Sequence, residues 1–171
     1  MRFLHGLDKT LSIFTAIAVI LMMLHIVAHA LMRAFFNAPI YGTNELVAYW
    51  YLPVVALLGI PAAQLQREHI SVTLVLERLN TTTAAVFKIF ACVFGALLSL
   101  GFAWFGFAEA MDNMEMRSTA GVTDIITWPV YFLVPVVFIL LGILYVLDIL
   151  TIARTGDVEA DEVGEHIDAP V

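Results

Sequence analysis

The sequence predicts an all-α membrane protein: four transmembrane helices, with a short interfacial amphipathic helix between the second and the third. Three observations carry that expectation. Apolar runs occupy residues 11–36, 46–65, 84–108 and 125–152, and a hydrocarbon core about 30 Å thick is crossed by about 20 helical residues. The polar coat of a soluble domain is missing. Of the 171 residues, 61% are hydrophobic and 13% charged, with a mean hydropathy of +0.93; a soluble domain carries roughly a quarter charged residues. The lysines and arginines, finally, are shared unevenly between the connections.

The first run follows a polar segment with Asp8 and Lys9. Ala28-His29-Ala30 resembles a signal-peptide cleavage site, but a signal core has only about 7–15 apolar residues. The run is therefore expected to stay as the first span. A tight turn at 37–44 contains Pro39 and Gly42, after which Thr43 or Asn44 should cap the second span and Glu45 should sit at its positive end. Pro53, Pro61, Pro129 and Pro135 fall inside the runs. Neighbouring helices in a bundle re-satisfy the carbonyls that proline frees, and kinks are expected near Pro53 and Pro135.

Between the second and third runs, Ile70, Leu74, Val75 and Leu79 share one helical face, while Glu68, Glu77 and Arg78 are polar. That pattern predicts the amphipathic helix, lying in the inner interface. Asn80 would end it, and one of Thr81, Thr82 and Thr83 would cap the third span. On that span Gly95, Gly101 and Gly106, with Ala96 and Ala103, offer close helix contact within the chain or with a partner. Residues 156–171 hold six acids and no Lys or Arg, and so carry most of the net charge of −7. Their apolar content is too low for a core, which predicts a disordered tail beyond a transmembrane domain of residues 1–155.

Orientation follows from the basic residues. With the N-terminus inside, Arg2, Lys9, Arg67, Arg78, Lys88 and Arg154 fall on the inner side and Arg33 and Arg117 on the outer. This asymmetry predicts two cytoplasmic termini.

The same inventory excludes several functions. There is no basic face for nucleic acid, the single Cys92 forms no internal disulfide, and no constellation of catalytic side chains is present, so no enzyme is expected. His25 and His29 lie one turn apart on the first span. A haem would need a facing histidine, yet His5, His69 and His166 all lie outside the spans; interhelical hydrogen bonding is the expected role. Ionisable groups gather near the span ends, at Arg33, Glu45, Glu109 and Asp148, and only His25 is near the middle. A chain that itself moved protons or sodium would place carboxylates or unwound backbone at the midplane. An accessory subunit fits better. Arg33 and Glu45 flank the first outer turn and are placed either to pair or to be solvated separately. In the second outer loop, 111–124, Asp112, Glu115 and Asp124 face a lone Arg117. These charges either orient a partner or keep a short loop solvated. Tyr49, Trp50, Tyr51, Trp104, Trp128 and Tyr131 read as interface anchors and packing aromatics.

These residues also carry a resemblance. Residues 33–45, R-A-F-F-N-A-P-I-Y-G-T-N-E, resemble the first outer loop of the small DctQ-like membrane subunits of TRAP (tripartite ATP-independent periplasmic) transporters. Gly59, Ala62 and Ala63, then Glu68-His69-Ile70-Ser71-Val72, resemble that family's G-x-x-x-A and E-H-I-x-V, and Trp128-Pro129 and Pro135 are similar to its fourth segment. One departure is Thr73, where the family often has an acid. The resemblance covers the chain to about Arg154. It implies a scaffold subunit in the bacterial inner membrane, working with a large membrane subunit and a periplasmic binding protein. The transporter would use sodium to import organic acids such as C4-dicarboxylates or sialic acid. It also implies no cofactor in this chain, with sodium held by the large subunit. Arg33, Glu45, His69, Gly101, Asp112 and Glu115 are the candidate partner-facing or structural residues. A small subunit of tripartite tricarboxylate transporters and a haem-bearing membrane anchor of a redox enzyme stay open as rivals.

Overall fold

Residues 2–65, 81–121 and 123–155 are described by the structure, a computed structural model. The expected amphipathic helix, His69 and the acidic tail lie outside the described residues. Helix α1 spans Arg2–Phe36, and α2 (Thr43–Leu46) leads through a π-helical turn, Val47–Tyr51, into α3 (Leu52–Leu65). Helix α4 spans Thr81–Glu115, α5 is the single turn Trp128–Tyr131, and α6 runs Leu133–Thr155. Four helical segments are long and apolar enough to cross a membrane: Gly6–Phe36, Thr43–Leu65, Ala85–Glu115 and Trp128–Arg154. The protein is an all-α membrane protein.

The prolines mark both irregularities. Pro53 has no N–H for the carbonyl of Tyr49, and the π-helical turn ends just before it. A slipped hydrogen-bond register absorbs the missing donor. Pro135 likewise leaves Tyr131 without a donor, and the fourth span is broken there between α5 and α6. Pro129 opens α5, where its missing N–H costs nothing. Pro61 is fully buried inside an unbroken α3.

Two boundaries differ from expectation. The third span runs two turns past 108, to Glu115, so Asp112 and Glu115 belong to a helix and not to a loop. The fourth begins at Trp128 instead of 125, because Thr119 and Ile126 form an antiparallel bridge. Neither Thr43 nor Asn44 caps the second span by its side chain: the N-cap is Gly42, in the left-handed region at φ 74°.

The spans form an open row. Helix α1 packs on α3, α3 on α6, and α6 on α4, and no further pair of spans makes more than a marginal contact. The spatial order is therefore first, second, fourth, third. The fourth span, inside the row, is the most buried at 33%, and the first, at its edge, the least at 6%. Lipid is as apolar as these surfaces, so nothing compels the row to close into a bundle.

The tightest contact joins α4 to α6. Cys92, Ala96, Ser99, Ala103 and Ala110 are buried on α4, against Val137, Leu141 and Leu144 of α6. With Gly106 the α4 set repeats at alternating steps of four and three, the spacing of a helix–helix seam. The seam is small enough for close approach. A methyl group at Gly95 would lie 2.8 Å from the Tyr145 ring, and one at Gly106 would lie 2.6 Å from Val134. Phe102 stacks on Phe138 with ring centroids 5.0 Å apart. Ser99 hides its hydroxyl by donating to the Gly95 carbonyl at 2.8 Å.

Candidate functional site

The polar framework of the chain gathers at the ends of the spans joined by the 37–42 turn and the 116–127 loop. Thr43, Asn113, Thr123 and Thr127 are buried there, and Ser99 is the remaining buried polar residue among those described. Each has a partner, as buried polar groups require.

The first turn is held against α1 by the two histidines. Helix α1 ends at Asn37, whose φ of 49° is a left-handed conformation that asparagine tolerates. His29 Nδ1 lies 3.1 Å from the Ile40 carbonyl, which can only accept, so Nδ1 carries the proton. Thr43 donates its hydroxyl hydrogen to the same carbonyl at 3.1 Å. Its oxygen lies 3.3 Å from His25 Nε2 and must therefore accept from it. The edge of His25 also meets Tyr51 at 5.9 Å between centroids. The histidine pair thus positions the turn, through two residues, Ile40 and Thr43, that no side-chain pattern joins to it.

The second loop is a folded hairpin. Helix α4 closes with Ser118 N–H on the Asn113 carbonyl at 3.0 Å and Arg117 N–H on the Met114 carbonyl at 3.1 Å. This is a Schellman motif with Arg117, at φ 47°, in the left-handed position. Ala120 then donates to Ile125 at 2.8 Å and Thr127 to Ser118 at 3.1 Å. The Thr127 hydroxyl bonds the Ser118 carbonyl as well, and Asn113 ties back to Glu109 at 2.9 Å. Ala110 and Ala120 are completely buried beneath this cover.

Two contacts fuse the turn and the hairpin. Trp50, in the π-helical turn, donates Nε1–H to the Ile126 carbonyl at 2.8 Å. Gly42 lies against Ile125, where a methyl group would sit 2.8 Å from Cδ1. Glycine is required there for its φ and for its missing side chain. The outcome is one rigid surface built from both connections. An open cavity of ≈ 600 Å³ indents it, lined by Met114, Arg117, Thr119, Ile126 and Trp128.

The candidate residues fall unevenly on this frame. Asp112 and Glu115 are exposed on the last turns of α4, and with Glu109 they follow one slanted ridge at steps of three. Asp124 is exposed on the hairpin. Arg33 is exposed in the last turn of α1 and Glu45 half-buried in the first turn of α2, and among the described residues no ion pair joins them. Gly101 is not at the helix seam: a methyl group there would meet nothing within 4 Å. Among the described residues no group of three or more His, Cys, Asp and Glu side chains is placed to hold a metal ion.

The structure is thus an open row of four spans with a hydrogen-bonded polar surface where the first turn meets the hairpin. The family model described as "Tripartite ATP-independent periplasmic transporters, DctQ component" matches residues 22–155. The chain belongs to that family. The match takes in every element from the second half of α1 to the end of α6, including the whole fused surface. A DctQ component is part of a transporter, so the tricarboxylate and haem-anchor readings give way to it. No curated protein and no solved structure matches the chain.

Proposed function

We propose that this DctQ component is the fixed scaffold of a sodium-coupled TRAP transporter. It stands in the inner membrane beside a large membrane subunit and presents its fused turn and hairpin to a periplasmic binding protein. Both termini face the cytoplasm in this reading, as the distribution of Lys and Arg favours. The cargo is an organic acid such as a C4-dicarboxylate, sialic acid or a related carboxylate, taken up by the large subunit, which holds the sodium. The observation that carries the reading is the open row: four spans in single file enclose no pathway. Two cavities support it, since both open outward, one on the hairpin and one on the apolar groove between α1 and α3.

Reconstitution by omission tests the proposal. Sodium-driven uptake into proteoliposomes is expected only when this chain, the large subunit and the binding protein are all present. Uptake by this chain alone would overturn the scaffold reading.

A further inference from the structure

At the other ends of the spans, away from the turn and the hairpin, α3 and α6 share a polar contact that no described residue completes. Gln64, in the last turn of α3, donates Nε2–H to Asp148 Oδ2 at 3.0 Å. Its amide oxygen, Oε1, is buried and has no hydrogen-bond partner among the described residues. Asp148 is half-buried and is the only charged residue of α6 before Arg154, and α3 contains no Lys or Arg. A carboxylate and an orphaned carbonyl oxygen thus stand together at the end of two apolar spans, where both call for a donor.

We infer that the Gln64–Asp148 pair is the seat of a lysine or arginine carried by a helix of the large membrane subunit, an inference that rests on the scaffold reading above. A cation beside Asp148 neutralises the carboxylate, and a rotation of the Gln64 amide lets Oε1 accept from the same group. An arginine fits the site well, since its planar fork can reach two acceptors on different side chains. The surroundings suit a helix. Val146, Leu147 and Leu150 are exposed about Asp148, and Thr151 is exposed one turn further on. A cation from within the chain is the chief rival. Among the described residues Lys88 is the candidate, because it already takes part in a contact.

The test uses the full chain co-expressed with the large subunit. Asp148→Asn keeps an oxygen for Gln64 and removes the charge. It is expected to leave the melting temperature of the chain alone unchanged while raising the dissociation constant for the large subunit about tenfold or more. A benzophenone amino acid at Thr151 is expected to cross-link to the large subunit on illumination. The inference is overturned if the Asp148→Asn complex is as tight as wild type, or if the cross-link reaches only phospholipid or a second copy of this chain. It is equally overturned if Lys88→Met weakens the complex as much as Asp148→Asn, which would make Lys88 the cation. A wild-type chain that captures no large subunit would remove the scaffold reading, and this inference with it.

Discussion

Gly95, Gly101 and Gly106 look alike in the sequence, yet the structure separates them by their angle around α4. Eleven residues make just over three whole turns, so Gly95 and Gly106 share a face, while six residues place Gly101 well away from it. The first two meet Tyr145 and Val134, and Gly101 meets nothing. Gly106→Ala therefore drives a methyl group into a β-branched side chain beside Pro135. It is expected to cost about 1–3 kcal/mol, read as a lower melting temperature in detergent. Gly101→Leu removes a helix-breaking residue from an open face and is expected to leave melting unchanged or raised. A marked loss of stability in Gly101→Leu would mean that this face is packed inside the chain. The role of the histidines was partly legible, because one-turn spacing in a span pointed to interhelical hydrogen bonding. Their partners were not: Ile40 takes part through its backbone carbonyl, which no side-chain pattern reports.

Among the elements, the spans and the two irregularities before Pro53 and Pro135 could be read directly, since hydropathy and proline chemistry act locally. The hairpin at 118–127 could not. Its fold depends on the burial of Thr123 and Thr127 and on a hydrogen bond from Trp50, 76 residues away in sequence. The extension of α4 to Glu115 is hidden for a related reason. Glu109, Asp112 and Glu115 suggested a loop, but Asn113 is buried and bonded to Glu109, which carries the helix on. Trp50→Phe keeps the ring and removes the donor to Ile126. A loss of about 0.5–1.5 kcal/mol is expected, together with faster hydrogen exchange confined to the hairpin and the 37–42 turn. Unchanged exchange there would show that Trp50 does not hold the two connections together.

At the scale of the whole molecule, the order of the spans was the least legible feature. In water an amphipathic stripe tells which face of a helix is inside. In lipid every face is apolar, and only the small-residue seam of α4 distinguishes a packed side from an exposed one. The open row that results leaves long apolar surfaces on α1 and α4, including Phe14, Met23, Phe90 and Phe105, for lipid and a partner to cover. The surface where turn and hairpin meet stands at the end of α4 that carries the acidic ridge, and charges of that kind act mainly on the rate of encounter and are screened by salt. The rate at which the binding protein associates with the reconstituted membrane complex is the most direct measurement of that role. For the double variant Asp112→Asn, Glu115→Gln, association is expected to slow severalfold at low ionic strength and to converge with wild type at high salt, with the membrane complex intact. Equal rates for variant and wild type at every ionic strength would contradict a docking role for this surface.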